Sequence, residues 1–227
     1  MEFDSIQIGV SDLAAAGRDY AVLFGGDASA ASGSVVRFAF TRGAIELETT
    51  PPAGVHALRF VPEADGPSGP WPNEAAAFHG LDIRTGPRPA AVAPLVAGGI
   101  LGVDHVVINT NDRARAKALW GKRLGVRLAL ERDFPARGLG MLFFRSAGVT
   151  VEIVSPLAPP PGDPGPDQFW GVAYRVADVA ACRARLLGAG VDISGIRDGN
   201  KAGTRVATVR SHTAGVPTLL IQQGAAG

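Results

Sequence analysis

A short pattern occurs three times along this chain, and it constrains the fold more than any other feature of the sequence. Each copy has a strand-like segment, then a small residue followed by Asp, then a helix-like segment that ends at a Gly. The strand-like segments with their Asp residues span 5–12, 105–112 and 171–178. A repeat at this spacing indicates units that cannot close a hydrophobic core alone, so neighbouring units must pair.

The middle and last copies are each followed by three further strand-like segments, which predicts the order β-α-β-β-β in both. We place the middle helix at residues 112–124, with Asn111 as its N-cap residue. A stretch rich in Pro and Gly at 156–167 predicts a semi-extended linker between the two units. The other elements of these units are predicted at 103–108, 126–131, 140–145, 149–154, 170–176, 178–187, 192–196, 204–210 and 217–222.

The first copy is looser, and a faint fourth copy follows it. Residues 61–63 match the end of the last copy's first strand, and on that alignment His56 takes the position of His105. A short helix is predicted at 73–78 within this degenerate unit. The elements of the first copy are predicted at 3–10, 12–24, 35–40 and 44–48.

These patterns predict an α+β fold in which tandem β-α-β-β-β units pair into curved mixed sheets. The predicted domains are residues 1–98, whose second unit is degenerate, and residues 99–227, which hold two complete units. The N-terminal half is alternatively a dimerisation or covering module.

Composition excludes several classes of function. The net charge of +1 argues against nucleic acid or an anionic membrane as a partner. No apolar run approaches the roughly 20 residues that span a bilayer, and the N-terminus lacks the form of a signal peptide. The single cysteine, Cys182, excludes an internal disulfide and lies where a helix-packing residue is expected. A cytoplasmic location is therefore expected.

One position of the repeat, seven residues before the Asp, differs between the copies and is Ser5, His105 or Gly171. Strand alternation puts His105 and Glu152 on the face opposite the apolar residues that pack under the helix. A neutral imidazole and a carboxylate are suitable ligands for Zn²⁺, Fe²⁺, Mn²⁺ or Ni²⁺. The alternative is a hydrogen-bonded His–Glu pair in a metal-free pocket, since catalytic zinc has three protein ligands.

The paired repeat, with His105 on a first strand and Glu152 on a last strand, resembles the vicinal oxygen chelate superfamily, best over residues 103–223. This group includes glyoxalase I, bleomycin-resistance proteins, extradiol dioxygenases and methylmalonyl-CoA epimerase. The resemblance implies a cup of eight strands, with a divalent metal held by the first and last strands of each unit. The matching positions of the last unit are Gly171 and Leu219, which carry no metal ligand.

The resemblance implies a small-molecule enzyme, which is a lyase, an isomerase or a ring-cleaving dioxygenase. In that reading a divalent metal lies at His105 and Glu152, and Glu152 is the catalytic base. The alternative is a metal-free protein that binds or sequesters a small molecule, in the manner of bleomycin-resistance proteins. A homodimer is among the expectations, because cups in this family are sometimes built across two subunits.

A third metal ligand has several candidates in the sequence. His56 is the first, because the four-copy alignment places it at the ligand position. His212, Glu46 and Glu48 are the others within the chain, and a partner subunit is the last. Glu46 and Glu48 are one residue out of register with Glu152 when both strands are counted from their turns.

Substrate contacts are predicted from residues on the same face and from one basic loop. Arg175 shares a face with Gly171 and requires an anionic partner there. Lys201 and Arg205 belong to a Gly-containing segment that either closes over an anionic substrate or is a solvated loop. Phe143 is predicted to line the pocket. Gly171 and Leu219, being small and apolar, predict a wide and dry side that suits a bulky apolar part of a ligand.

Overall fold

The computed structural model describes residues 1–51, 53–62, 78–95 and 97–224. The helix expected at 73–78 therefore lies, except for its last residue, outside the described residues. None of the helices in the described ranges is long and apolar enough to cross a membrane.

Six strands of the N-terminal half form one mixed sheet in the order β2-β3-β4-β1-β5-β6. The central strand β1 is parallel to β4 and antiparallel to β5, and β5 is parallel to β6. The strands are β1 (Glu2–Val10), β2 (Ala30–Ala31), β3 (Val35–Ala39), β4 (Ala44–Thr49), β5 (Gly54–Val61) and β6 (Asp82–Thr85).

Eight strands of the C-terminal half form a second mixed sheet in the order β12-β13-β14-β11-β7-β10-β9-β8. Its centre is the antiparallel pair β7 and β11, and each of these is also parallel to the last strand of its own unit, β10 or β14. The strands are β7 (Ile100–Asn109), β8 (Arg127–Phe134), β9 (Leu139–Ser146), β10 (Val149–Pro156), β11 (Gln168–Val176), β12 (Arg197–Asp198), β13 (Arg205–Val209) and β14 (Thr218–Gln222).

The repeated Asp begins each of the three helices, α1 (Leu13–Phe24), α2 (Arg113–Lys117) and α3 (Val179–Gly188). In every case its carboxylate accepts a hydrogen bond from a backbone N–H of the first turn, which is otherwise unpaired. The prediction of Asn111 as a cap was wrong, because its side chain instead donates to the carbonyl of Pro164. The segment Ala118–Arg123 continues α2 as a π-helical turn.

The two sheets and the helices contribute to one continuous hydrophobic cluster. The Phe24 ring lies 5.1 Å from that of Tyr174, and Phe60 lies 6.3 Å from Trp120, so aromatic contacts join the halves. Cys182 is buried within the same cluster, as a helix-packing residue would be. The predicted α+β fold of paired β-α-β-β-β units is confirmed, and the division at residue 98 stays a prediction.

One predicted strand of the last unit lies at different residues from those predicted. Residues 192–196 form only a single bridge, between Ile193 and Val209, and the ladder strand is the short β12 further along. The ladder is interrupted at Ser194, because the amide of Thr208 donates to the Ser194 hydroxyl over 2.9 Å and not to a backbone carbonyl.

Candidate functional site

A β-bulge in β7 shapes the candidate site. His105 pairs with Ala173 and Val103 pairs with Tyr174, so Asp104 is an extra residue with no partner on β11. A bulge changes the direction of side chains at that point of a strand. As a result the neighbouring side chains of Asp104 and His105 meet, with Asp104 Oδ1 3.0 Å from His105 Nδ1.

Glu152 approaches the same imidazole from the adjacent strand. It lies beside Val107 in the β7–β10 ladder, one step diagonally from His105. Its Oε1 is 3.6 Å from His105 Nδ1, and both side chains are largely buried. The structure therefore brings together the two residues that the sequence paired. We call the face of the C-terminal sheet that carries His105, Glu152 and Ala173 the site face.

Arg175 supplies the positive charge opposite Asp104. Its Nε donates to Asp104 Oδ2 over 2.9 Å, so the anionic partner that Arg175 requires is this carboxylate. Gln223 donates to the same oxygen over 3.2 Å, and Lys201 donates to Gln223 over 3.4 Å. A chain of hydrogen bonds thus runs from the basic loop to the imidazole.

The electrostatics of this cluster favour a charged imidazole. Burial opposes protonation of His105, but the carboxylates of Glu152 and Asp104 outweigh it and raise the imidazole pKa. Burial raises the pKa of Glu152, against the opposing effect of His105. Burial also disfavours ionised Asp104, yet hydrogen bonds from His105 and Arg175 lower its pKa to about 2. Asp104 is therefore the fixed anion of the cluster, whereas the pKa values of His105 and Glu152 are both raised.

The other half of the site face is apolar. Ala173, Val206 and Ile221 form a small buried cluster, and Leu219 packs against it. Leu219 pairs with Ala173 as Glu152 pairs with Val107, so it holds the position in the last unit that Glu152 holds in the middle unit. The site face is therefore polar on one side and apolar on the other.

The close packing of the backbone explains why a glycine occupies position 171. A Cβ at this position would lie 2.6 Å from the carbonyl oxygen of Pro217, which is closer than such atoms approach. The same carbonyl accepts a hydrogen bond from the amide of Val172 over 3.0 Å. The glycine thus permits a close backbone approach between β11 and the turn before β14.

The remaining predicted substrate contacts divide between the two faces. Phe143 pairs with Glu152 in the β9–β10 ladder and shares its face. Arg205 is exposed and lies on the opposite face of β13 from buried Val206, so the structure does not bring it to Asp104. Lys201 is exposed and reaches the cluster only through Gln223.

The alignment that placed His56 at the His105 position is wrong by one residue. Ala57 pairs with Gln7 and Val55 pairs with Ile8, so His56 is an unpaired bulge residue of β5. Its Nε2 lies 3.7 Å from Glu48 in the N-terminal sheet. His212 lies in a turn beside α1, with Nε2 3.8 Å from Asp19.

Glu46 is also in a different register from the one expected. It pairs with Gln7, as Glu152 pairs with Val107, so it occupies the Glu152 position of the N-terminal sheet. Its carboxylate accepts hydrogen bonds from Ser5 and Gln7 over 3.1 and 3.0 Å and forms an ion pair with Arg37. It is thus fully engaged in its own sheet.

The donor set does not fit the predicted divalent metal. Within the described ranges, no three His, Cys, Asp or Glu residues are grouped so that they could hold one. His105 Nδ1 and Asp104 are already bonded to each other, Asp104 also binds Arg175, and the Leu219 position has no donor atom. The prediction of a metal at His105, Glu152 and His56 is corrected accordingly, since His105 and Glu152 remain two ligands without a third.

Comparison with protein families finds one model that matches part of the chain. The model of the glyoxalase/bleomycin resistance protein/dioxygenase superfamily matches residues 104–208. A comparison with curated protein sequences finds no significant match.

Three of the solved structures that this chain partly resembles are the following. Methylmalonyl-CoA epimerase from Mycobacterium tuberculosis is 21% identical over 56% of this chain and 90% of its own, with a TM-score of 0.46. A hypothetical protein from Bacillus halodurans is 18% identical over 55% and 96%, with a TM-score of 0.46. A variant of methylmalonyl-CoA epimerase from Streptomyces coelicolor is 18% identical over 55% and 95%, with a TM-score of 0.45.

Proposed function

Because the model of the glyoxalase/bleomycin resistance protein/dioxygenase superfamily matches residues 104–208, we propose that the site face binds a small carbonyl compound and transfers a proton beside its carbonyl group. The proposed reaction class is isomerase or lyase chemistry, with His105 and Glu152 as the catalytic residues. Proteins that share a fold catalyse different reactions, so the proposal rests on the side chains of the site. The observation that carries it is the contact of His105 with two buried carboxylates.

His105 is held in one orientation by its Nδ1 atom. Asp104 accepts the hydrogen bond from Nδ1–H, which leaves Nε2 with the lone pair when the ring is neutral. We assign Nε2, the other ring nitrogen, as the atom that meets the ligand. An imidazole held in this way accepts a proton at Nε2 and returns it at a neighbouring position.

Glu152 completes an acid–base pair with His105. Its pKa is raised by burial, and the pKa of His105 is raised by the carboxylates of Glu152 and Asp104. General acid–base catalysis is most effective when the pKa of the catalyst lies near the working pH. One of the two residues removes a proton beside the carbonyl, and the other supplies one.

The charges and the apolar cluster indicate the kind of substrate. Arg175 is paired with Asp104 and is not free to neutralise an anionic group of the ligand. The apolar side, built around Leu219 and Ile221, suits an aliphatic or aromatic part. A neutral carbonyl compound with such a part fits both halves of the site face.

Binding without chemistry is the second candidate. The observation that favours it is the saturation of Asp104 by His105, Arg175 and Gln223, which leaves few polar groups for a substrate. In that case the protein sequesters an amphipathic small molecule. A cytoplasmic location and a homodimer stay predictions from the sequence in either case.

Hydrogen–deuterium exchange separates the two candidates. The protein is incubated in D₂O with a panel of neutral ketones, β-keto esters and thioesters, and loss of the proton beside the carbonyl is followed by NMR. We expect exchange that falls at least about a hundredfold in Glu152→Gln and His105→Asn, since loss of an acid–base group costs that much. Leu187→Ala, an exposed residue of α3, is the matched control. Saturable binding of a panel member without exchange would contradict proton transfer and support a binding protein.

A further inference from the structure

Two arginines stand directly opposite each other on the outer strands of the site face. Arg127 on β8 pairs with Arg145 on β9, and Arg145 pairs with Thr150 on β10. Thr150 in turn pairs with His105. Paired residues of neighbouring strands share a face, so both arginines lie on the same face as the imidazole. With about 4.8 Å between neighbouring strands, the Cα atom of Arg145 lies about 10 Å from that of His105.

This pair of like charges is unfavourable without a bound anion. Both arginines are exposed, and neither makes a hydrogen bond or an ion pair with another residue of the described ranges. Like charges that stand directly opposite each other in a ladder destabilise it. Because both side chains reach solvent, both guanidinium groups are accessible to a ligand that approaches the site face.

The carboxylates of the neighbouring strands are engaged elsewhere. Glu131 and Asp133 of β8 pair with buried positions of β9, and both form ion pairs with Arg113 of α2 on the other side of the sheet. Glu152 of β10 shares the site face, but its Oε1 lies 3.6 Å from the imidazole of the site. The positive charge of the two opposed arginines is therefore left for a ligand.

An apolar pair lies beside the arginines on the same face. Leu130 of β8 pairs with Phe143 of β9, which is two residues before Arg145. Leu130 is 51% exposed and Phe143 is half-buried, so both can bury further apolar area against a ligand. We call the four residues Arg127, Arg145, Leu130 and Phe143 the arginine site. It presents two positive charges next to an apolar surface.

We propose that the arginine site binds a phosphate monoester that carries an apolar organic group. Guanidinium groups form paired, charge-assisted hydrogen bonds with phosphate oxygens, and one dianion neutralises both arginines. A carboxylate has a single charge and neutralises only one of them. The organic group lies against the apolar pair. The arginine site does not depend on the proton transfer proposed for His105 and Glu152.

Phenyl phosphate, inorganic phosphate and benzoate are the probes. Each is added to the full chain at constant ionic strength and about pH 8, where a phosphate monoester is a dianion. Chemical shifts of the backbone amides are followed by NMR. We expect phenyl phosphate to give saturable shifts on β8 and β9. Inorganic phosphate lacks the ring and is expected to bind about threefold more weakly, and benzoate lacks the second charge and is expected to bind about tenfold more weakly.

Substitutions separate the two parts of the arginine site. Arg127→Gln and Arg145→Gln are each expected to weaken phenyl phosphate binding by about tenfold or more. Neither is expected to lower the melting temperature, because each removes one of two opposed like charges. Leu130→Ala is expected to weaken phenyl phosphate binding about threefold and to leave the binding of inorganic phosphate unchanged.

Arg18→Gln is the matched control, because Arg18 is an exposed residue of α1 and makes no ion pair within the described ranges. Well-dispersed spectra of each free variant establish that it is folded. The proposal is overturned if phenyl phosphate gives no saturable shifts on β8 and β9, if inorganic phosphate or benzoate binds as tightly, or if Arg145→Gln binds phenyl phosphate as tightly as Arg18→Gln does. A melting temperature of Arg127→Gln and Arg145→Gln below that of Arg18→Gln would also overturn it, since the pair would then stabilise the fold.

Discussion

Glu46 and Glu152 occupy the same position in the two sheets. Each lies on the last strand of a β-α-β-β-β unit. Glu46 pairs with Gln7, and Glu152 pairs with Val107. Gln7 and Val107 are equivalent, because each lies two residues after the position that is Ser5 in the first copy and His105 in the middle copy. Asp4 is an unpaired bulge residue of β1, as Asp104 is of β7. The N-terminal sheet therefore contains a second copy of the acidic framework of the site.

This copy lacks the imidazole and is closed by arginines. Ser5 stands at the position of His105 and donates to Glu46 over 3.1 Å. Arg37 bridges Asp4 and Glu46, and Arg59 donates to Asp4 over 2.6 Å. Two carboxylates paired with two guanidinium groups form a self-satisfied cluster, so we assign it a role in stability.

Arg37→Met is expected to destabilise the protein by about 1–3 kcal/mol, because it leaves Glu46 and part of Asp4 buried without their charged partner. The matched control is Arg88→Met, whose pair with Glu2 is exposed and is expected to contribute at most about 1 kcal/mol. Urea denaturation measures both. Equal effects of the two substitutions would show that the cluster has no special role.

The repeat allowed the fold to be predicted because each Asp is a helix cap and the first strand of the middle unit alternates between half-buried and buried residues from His105 to Ile108. The same alternation located His105 and Glu152, which both lie in regular ladder positions. Asp104 could not be found in this way, since alternation puts adjacent residues on opposite faces and the bulge arises from pairing with a distant strand.

The register of Glu46 was missed for a related reason. The turn between β9 and β10 has two residues, because Ser146 pairs with Val149, whereas Ala39 pairs with Ala44 across a four-residue connection. Ala44 is the first paired residue after its turn, and it pairs with Ser5. His105, at the equivalent position, pairs with Thr150, which is the second paired residue after its turn. Counting from the turn cannot reveal this offset, because it depends on the loop conformation.

Gly171→Ala is expected to destabilise the protein by about 1–3 kcal/mol, because the added methyl group meets the Pro217 carbonyl at 2.6 Å. Gly188→Ala is the control at the end of α3, where nothing lies within 4 Å of the added carbon. Since alanine favours a helix over glycine, this control is expected to stabilise by about 0.5–1 kcal/mol. Thermal denaturation checks both signs, and a neutral Gly171→Ala would contradict the close approach.

Divalent metal salts are expected to leave the melting temperature unchanged, because the described donors at His105 and Glu152 lack a third ligand. A metal at 100 times its dissociation constant would add about 2.7 kcal/mol and raise the melting temperature by about 5–10 °C. Melting curves with Zn²⁺, Mn²⁺ and Ni²⁺ measure this. An increase that is lost in His105→Asn but kept in His212→Asn, a turn residue with φ of 60°, would establish a metal site instead.

Stability is expected to fall as pH rises through the pKa of His105. A histidine whose pKa is raised in the folded state stabilises that state below its ordinary value of 6.5, and this contribution is lost above the folded value. The pKa of Glu152 is also raised, so its contribution to stability is likewise lost as pH rises above its ordinary value of 4.5. Asp104 acts oppositely, and its contribution is lost only as pH falls from 3.8 toward about 2.

Asp104→Asn tests the cause of the His105 shift. Removal of one of the two carboxylates is expected to lower the pKa of His105, which NMR titration of the imidazole protons measures directly. Urea denaturation at about pH 6 and about pH 9 should then show a smaller loss of stability than in the wild type, and His105→Asn should show the smallest. An unchanged His105 pKa in Asp104→Asn would mean that Glu152 alone sets the charge of the imidazole.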